Sequence, residues 1–206
     1  MYTNKKIFAI GFNKTGTTSI YDTLKNVGIN SYHGTTKVLD IINLYDAFTD
    51  GEHFNFKKYY DIHPNSLFIL NTRPLKKWLA SRYKHAKCHG FKECWCWPVT
   101  DVKTNKWINE RETHFSNVLS FFKDKKDSFL IINIERCGWE ERLLNFIGKP
   151  YAVKTFHSNK KIDRTIGTEK LDEINKNIDK CLKENNYTGD ELLPSDVNLT
   201  LYNVFI

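Results

Sequence analysis

Long hydrophobic runs are missing from this chain. No apolar stretch approaches the roughly 18 residues that a membrane-spanning helix needs, so no membrane span is expected. Glycine and proline are sparse, at 10 and 5 residues in 206, which excludes collagen-like and low-complexity architectures. Paired C-x2-C motifs are absent as well. The five cysteines, Cys88, Cys94, Cys96, Cys137 and Cys181, are odd in number, and a chain able to bury a core does not need disulfides, so free thiols are expected. Cys88, Cys94 and Cys96 gather near His85 and His89, but C-x5-C-x-C is not the spacing of zinc folds, and no metal site is expected. With no arginine-rich arm or zinc finger, nucleic acid is not an expected partner. Residues 1–6 are polar and lead straight into a short apolar run without a small-residue cleavage site, so the expectation is no signal peptide and a cytoplasmic location.

What is present is the mixture of a globular domain. Aromatic residues make up 14% of the chain, which excludes disorder as the main state. A chain of this length removes roughly 70% of its unfolded surface from water. Lys plus Arg outnumber Asp plus Glu by 31 to 24, a net charge of +7. A moderately basic protein favours anionic partners, such as phosphorylated cofactors or sulfated and acidic ligands. Mixed runs such as residues 123–127 read as solvated helix ends.

The hydrophobic pattern alternates strand and helix. Residues 6–10 (KIFAI), 67–70 (LFIL) and 129–134 (FLIINI) are short apolar runs, as in strands buried on both faces. Residues 17–27 place Ile20, Leu24 and Val27 on one helical face, and Gly28 stops it. A second short strand is expected over 29–32, ending at His33, and a helix over 36–48. Leu75, Trp78, Leu79, Arg82 and Ala86 fall at helical spacing, and so do 107–122, 139–147 and the set from Leu171 to Leu182. Residues 87–106 read as a long loop, and the last twenty residues show little pattern. This order predicts an α/β fold in a single domain over 1–206, of P-loop-type three-layer form, with a central parallel sheet flanked by helices. Ligands of such sheets sit at the carboxyl ends of the strands, which directs attention to the loops after Ile10, Tyr32, Leu70 and Ile134.

The first of these loops carries chemistry. Gly11-Phe12-Asn13-Lys14-Thr15-Gly16-Thr17-Thr18-Ser19 joins strand to helix. Glycines let backbone approach a ligand, and hydroxyls and the N–H groups of a helix start face one point, which makes an anion site. Lys14 adds a cation. The nucleotide-triphosphatase loop G-x4-G-K-[ST] differs, because its lysine follows the second glycine, whereas Lys14 precedes Gly16. No apolar strand ends in the aspartate that would hold Mg²⁺, since Leu70 runs into Asn71-Thr72-Arg73.

The order Gly-x-x-Lys-x-Gly-Thr-Thr resembles the 5′-phosphosulfate loop of sulfotransferases that use 3′-phosphoadenosine 5′-phosphosulfate (PAPS). Their second motif is a strand, then an Arg and, eight residues on, a Ser; here these are Arg73 and Ser81, with Trp78 between them. Tyr32-His33, Arg111-x-x-His114, Gly138-Trp139, residues 146–150 and Phe156-His157-Ser158-Asn159 extend the resemblance over roughly residues 5–160, leaving 161–206 as a C-terminal helical extension and tail. The chain departs from the pattern at Arg73-Pro74-Leu75, where Arg-Asp-Pro or Arg-Asn-Pro is common, and it shows no Arg-Lys-Gly loop; Lys160, Lys161 and Arg164 are the basic residues nearest to a substitute.

The resemblance implies sulfuryl transfer from PAPS to a hydroxyl or amine, by in-line attack without metal, leaving adenosine 3′,5′-bisphosphate. It implies that Asn13, Lys14, Thr15, Gly16, Thr17, Thr18 and Ser19 bind the 5′ side, with Lys14 facing the bridging oxygen, and that Arg73 and Ser81 bind the 3′-phosphate. The acceptor needs a base. His33 is the first candidate, since it follows the second strand at the carboxyl edge; His63, Asp61, Glu52 and His114 are the others. Glu135, ending the third strong strand, is read as positioning a loop or the acceptor. Residues 88–97 combine aromatic and basic side chains that suit a flat acceptor, or equally a packed lid or partner surface. Small-molecule or carbohydrate acceptors are expected. The alternatives are a P-loop kinase or nucleotide-binding protein, which prefers ATP with Mg²⁺, and a non-catalytic module that kept the anion loop.

Overall fold

The computed structural model describes residues 5–51, 55–87, 99–150, 168–194 and 197–206. Glu52, Cys88, His89, Cys94, Cys96 and the rest of 88–97, residues 156–159, and Lys160, Lys161 and Arg164 lie outside the described residues.

Six parallel strands form one sheet in the order β2-β3-β1-β4-β5-β6. They are β1 (Ile7–Ala9), β2 (Ser31–Tyr32), β3 (Ala47–Phe48), β4 (Leu67–Thr72), β5 (Phe129–Asn133) and β6 (Asn203–Phe205). The helices are α1 (Thr17–Asn26), α2 (Val38–Ile41), α3 (Phe56–Ile62), α4 (Leu75–Lys87), α5 (Asp101–Phe122), α6 (Trp139–Phe146) and α7 (Thr168–Glu184). The residues group into two compact units. The first is 1–72, 117–160 and 196–206; the second is 73–116 and 161–195.

The first unit holds the whole sheet. Side chains alternate across a strand, and the two faces here differ in kind. Ile7 and Ala9 of β1, Leu67 and Ile69 of β4, and Leu130 and Ile132 of β5 share a core with Ile20 and Leu24 of α1 and Trp139, Leu143 and Leu144 of α6. The opposite face is aromatic. Phe8 stacks on Phe48 at 5.4 Å, on Tyr59 of α3 at 4.9 Å and on Phe68 at 5.2 Å. Phe122, the last residue of α5, lies 5.0 Å from Phe68 and stacks on Phe129 at 4.5 Å. Helices thus cover both faces of this sheet, and its central strands are buried on both sides, as their unbroken apolar sequences imply.

Three sequence expectations need correction. Residues 36–48 are not one helix: only Val38–Ile41 is helical, and Ala47–Phe48 is β3, between β2 and β1. The Asn30 carbonyl accepts from the N–H groups of Asp46 at 2.7 Å and Ala47 at 3.2 Å, which draws the chain into the sheet. A strand of two residues is too short to show an alternating pattern. Helix α5 starts at Asp101 rather than near Trp107. Its polar first turns are anchored within the second unit, where the Asp101 carboxylate accepts from Asn177 Nδ2 at 2.6 Å and pairs with Lys180. The C-terminal residues supply β6, which pairs with β5 in the register Leu130↔Asn203 and Ile132↔Phe205.

In the second unit the fully buried Arg111 is the organising side chain. Its Nη2 donates to the carbonyls of Leu192 at 2.9 Å, Glu191 at 3.1 Å and Arg73 at 3.3 Å. Its Nη1 pairs with Glu112 at 3.1 Å. Burial pushes the guanidinium down to about 10, while Glu112 and Glu191 pull it back upward, so it is a cation at neutral pH. Among the described residues no helix is long and apolar enough to cross a membrane.

Phe122 joins the aromatic face from three sides. Phe122→Ala is expected to lower the unfolding free energy by about 3–5 kcal/mol, read from the urea midpoint at constant m-value.

Candidate anion-binding site

The strand order reverses between β1 and β4, because β2 and β3 lie on one side of them and β5 and β6 on the other. Crevices at such a switch point, outside the carboxyl ends of the strands, are where open α/β sheets bind ligands. The loop of residues 11–16 leaves β1 at this point and opens α1.

The loop is held by a side chain from the neighbouring strand. Asn71 continues the inward series of Leu67 and Ile69 on β4 and is completely buried. Its Oδ1 accepts from the Gly11 N–H at 3.0 Å. Its Nδ2 donates to Thr15 Oγ1 at 2.6 Å and faces the Thr15 carbonyl at 3.2 Å. The Thr15 hydroxyl in turn donates to the Phe12 carbonyl. One amide therefore fixes both ends of the loop. Gly11 is required by the same packing: a Cβ there would stand 2.1 Å from the Asn71 carbonyl oxygen and 2.7 Å from its Cγ.

The backbone of the loop is unusual. Lys14 has φ 67 and Gly16 has φ 88, both left-handed. A non-glycine residue there is uncommon and marks stored strain, which gathers at ligand sites. Left-handed residues also turn successive N–H groups toward one side, the geometry of anion-binding concavities. Gly16 is the N-cap of α1, no side chain caps the helix, and no acidic residue lies in its first turn. The positive end of the helix dipole is thus not answered by the helix's own carboxylates. The donor set of this loop suits an anion.

His33 lies beside this helix start. Its Nε2 is 3.2 Å from Thr18 Oγ1, and its Nδ1 is 3.1 Å from Thr49 Oγ1. The Thr49 hydroxyl donates to the Tyr32 carbonyl at 3.3 Å, so its oxygen accepts from Nδ1–H. That assigns the remaining lone pair of the ring to Nε2. Asp50 Oδ2 stands 3.8 Å from the same Nε2. Behind His33 an open cleft of about 420 Å³ runs between α1 and β2, walled by Tyr21, Lys25, Ile29, Tyr32 and Tyr45. Tyr32 and Tyr45 are 5.1 Å apart, and Lys25 Nζ lies 5.6 Å over the Tyr21 ring.

The remaining candidates fall elsewhere. Asp61 and His63 close α3 immediately before β4, at the amino edge of the sheet, away from the loop of residues 11–16. Glu135 is exposed just past β5 and donates its N–H to Asn133 Oδ1 at 3.0 Å. Arg73, Ser81 and His114 belong to the second unit, with Ser81 on α4 and His114 buried on α5. The Arg73 carbonyl is one of the three that Arg111 holds. Among the described residues no group of three His, Cys, Asp or Glu side chains comes together to hold a metal ion.

Sequence reasoning passed over Asn71, Thr49 and Asp50. A signal existed for the first: a polar residue at an inward position of an apolar strand must find partners when buried. Thr49 and Asp50 gave none, because they follow a strand too short to be seen.

No family model matches this chain, and no curated protein matches it.

Gly11→Ala is expected to push the loop off β4 and lower the unfolding free energy by about 3 kcal/mol, the upper end of the usual cost of overpacking, since the added methyl meets backbone rather than a movable side chain. Denaturant unfolding of the purified variant measures it.

Proposed function

We infer that this chain is a P-loop-type sulfotransferase, which moves a sulfuryl group from PAPS to a hydroxyl or amine of a small-molecule or carbohydrate acceptor. The observation that carries the reading is the loop of residues 11–16. Its lysine and following glycine are left-handed, its helix start has no acidic residue, and His33 Nε2 lies 3.2 Å from Thr18 Oγ1 in the first turn of that helix. The lysine position and the asparagine in place of a metal-binding aspartate favour it over a kinase.

Bound PAPS would supply an activated sulfuryl group, whose S–O bond to the 5′-phosphate would break as a new S–O bond to a hydroxyl, or S–N bond to an amine, forms. Lys14 meets the negative charge that develops on the departing phosphate oxygen, and the donors of Thr17, Thr18 and Ser19 are set for it in advance. His33 Nε2 takes the acceptor proton, and Asp50 stabilises the resulting imidazolium. The cleft beside His33 takes the acceptor, with tyrosine faces for a ring and Lys25 at its edge. Arg73 and Ser81 keep the role that the resemblance gives them, binding the 3′-phosphate, which a guanidinium fork suits.

Calorimetric titration with adenosine 3′,5′-bisphosphate in EDTA tests the reading. Binding is expected without metal, weaker for 5′-AMP, and weakened about tenfold or more in Lys14→Ala and in Arg73→Ala. No binding, or a preference for Mg-ATP, contradicts it, and the latter returns the loop to a kinase.

A further inference from the structure

The amide of Asn71 occupies the strand-end position at which a nucleotide triphosphatase would carry an aspartate, and both of its ends are spent on the loop. We propose that Asn71 is a positioning residue for the anion site: its side chain, by accepting from Gly11 and donating to Thr15, holds the loop of residues 11–16 in its anion-binding shape. The proposal rests on reading this loop as the anion site.

The chemistry of the position is specific. An amide accepts at one end and donates at the other, and both are needed here. Oδ1 meets a donor, the Gly11 N–H at 3.0 Å. Nδ2 meets two oxygens, Thr15 Oγ1 at 2.6 Å and the Thr15 carbonyl at 3.2 Å. The Thr15 hydroxyl spends its own proton on the Phe12 carbonyl, so it receives from Asn71 rather than giving to it. Every atom in this chain of bonds is buried, with Asn71 and Thr15 both at 0% exposure, so bulk solvent does not reach it to replace a lost donor.

A carboxylate has the same shape and no donor. In Asn71→Asp the Gly11 bond survives, but a negative charge faces the Thr15 carbonyl within a buried contact of 3.2 Å. The Thr15 end of the loop then lets go, and with it the left-handed turn from Lys14 to Gly16. Protonating that carboxyl restores one O–H donor toward the Thr15 oxygens that the amide serves. Burial raises a carboxyl's pKa, so the restoration falls within an accessible pH range. The loop of the variant becomes a pH-dependent structure where the wild type is not.

The test uses the full chain in two measurements. In the ligand-free protein, the ¹⁵N and ¹H shifts of the Gly16 amide report on the peptide that carries the Thr15 carbonyl. At pH 8 this resonance is expected to move in Asn71→Asp, with the amides of β5 unmoved, and to return toward its wild-type position as the pH falls to 6. Adenosine 3′,5′-bisphosphate, titrated at both pH values against wild type, is expected to bind the variant at least tenfold more weakly at pH 8 and within about threefold of wild type at pH 6. Thr15→Val keeps the shape and removes the Oγ1 partner; it is expected to weaken binding severalfold at both pH values, and it serves where Asn71→Asp does not fold. An unmoved Gly16 resonance with wild-type affinity at pH 8, or a loss of affinity that lower pH does not repair, overturns the role of Asn71. Wild-type affinity in Thr15→Val overturns it also. A wild-type protein that fails to bind the bisphosphate overturns the anion reading instead, while the resonance measurement still decides whether Asn71 holds the loop.

Discussion

The contact on which this site depends is a single buried amide between two neighbouring strands. β1 and β4 pair in parallel through Ile7↔Leu67 and Ala9↔Ile69, so their carboxyl ends arrive side by side. Beyond that point β1 must turn away into α1, and its backbone polar groups lose their strand partners. Asn71 supplies replacements from the next strand. Gly11 is bound to be small because Asn71 and its carbonyl already fill the space. Thr15 is bound to be a hydroxyl because Nδ2 needs an acceptor. The close packing of Gly16 on Ile134, 3.0 Å from a Cβ that glycine lacks, joins the same loop to the end of β5. A flexible glycine-containing segment thereby becomes a fixed one, and only a fixed set of donors can meet an anion without reorganising.

Electrostatics and position then agree. The loop opens a helix that carries no acidic residue in its first turn, within a chain of net charge +7. The strand order changes direction at the same place. His33 reaches the helix start from β2, with its proton placed on Nδ1 by Thr49. A histidine, a loop fixed by a buried amide and a cleft walled by tyrosines thus lie at the strand ends of one sheet.

Much of this was legible in the sequence, and the parts that were not have physical reasons. The long buried strands announced themselves, since β4 and β5 are covered on both faces and read as apolar runs. The loop with Lys14 and Gly16 was visible because its residue types are rare in combination, and the placement of His33 followed from the short run before it. β3 and β6 were invisible, being two and three residues long; their stability comes from pairing with neighbours, which leaves no mark on local pattern. The first turns of α5 are polar because Asp101 and Thr104 are tied to α7 by hydrogen bonds, not by an apolar stripe. Asn71 stood in plain view as a polar residue in an apolar strand, but its partners lie 60 and 56 positions away, and spacing along a chain cannot supply them.

The most direct measurement is ³¹P NMR of adenosine 3′,5′-bisphosphate with the protein in EDTA, because it reads the two phosphates separately. Both resonances are expected to move on binding, Lys14→Ala to diminish chiefly the change at the 5′-phosphate, and Arg73→Ala to diminish chiefly the change at the 3′-phosphate. Resonances that stay in place until Mg²⁺ is added, or a 5′-phosphate indifferent to Lys14, would contradict the sulfotransferase reading.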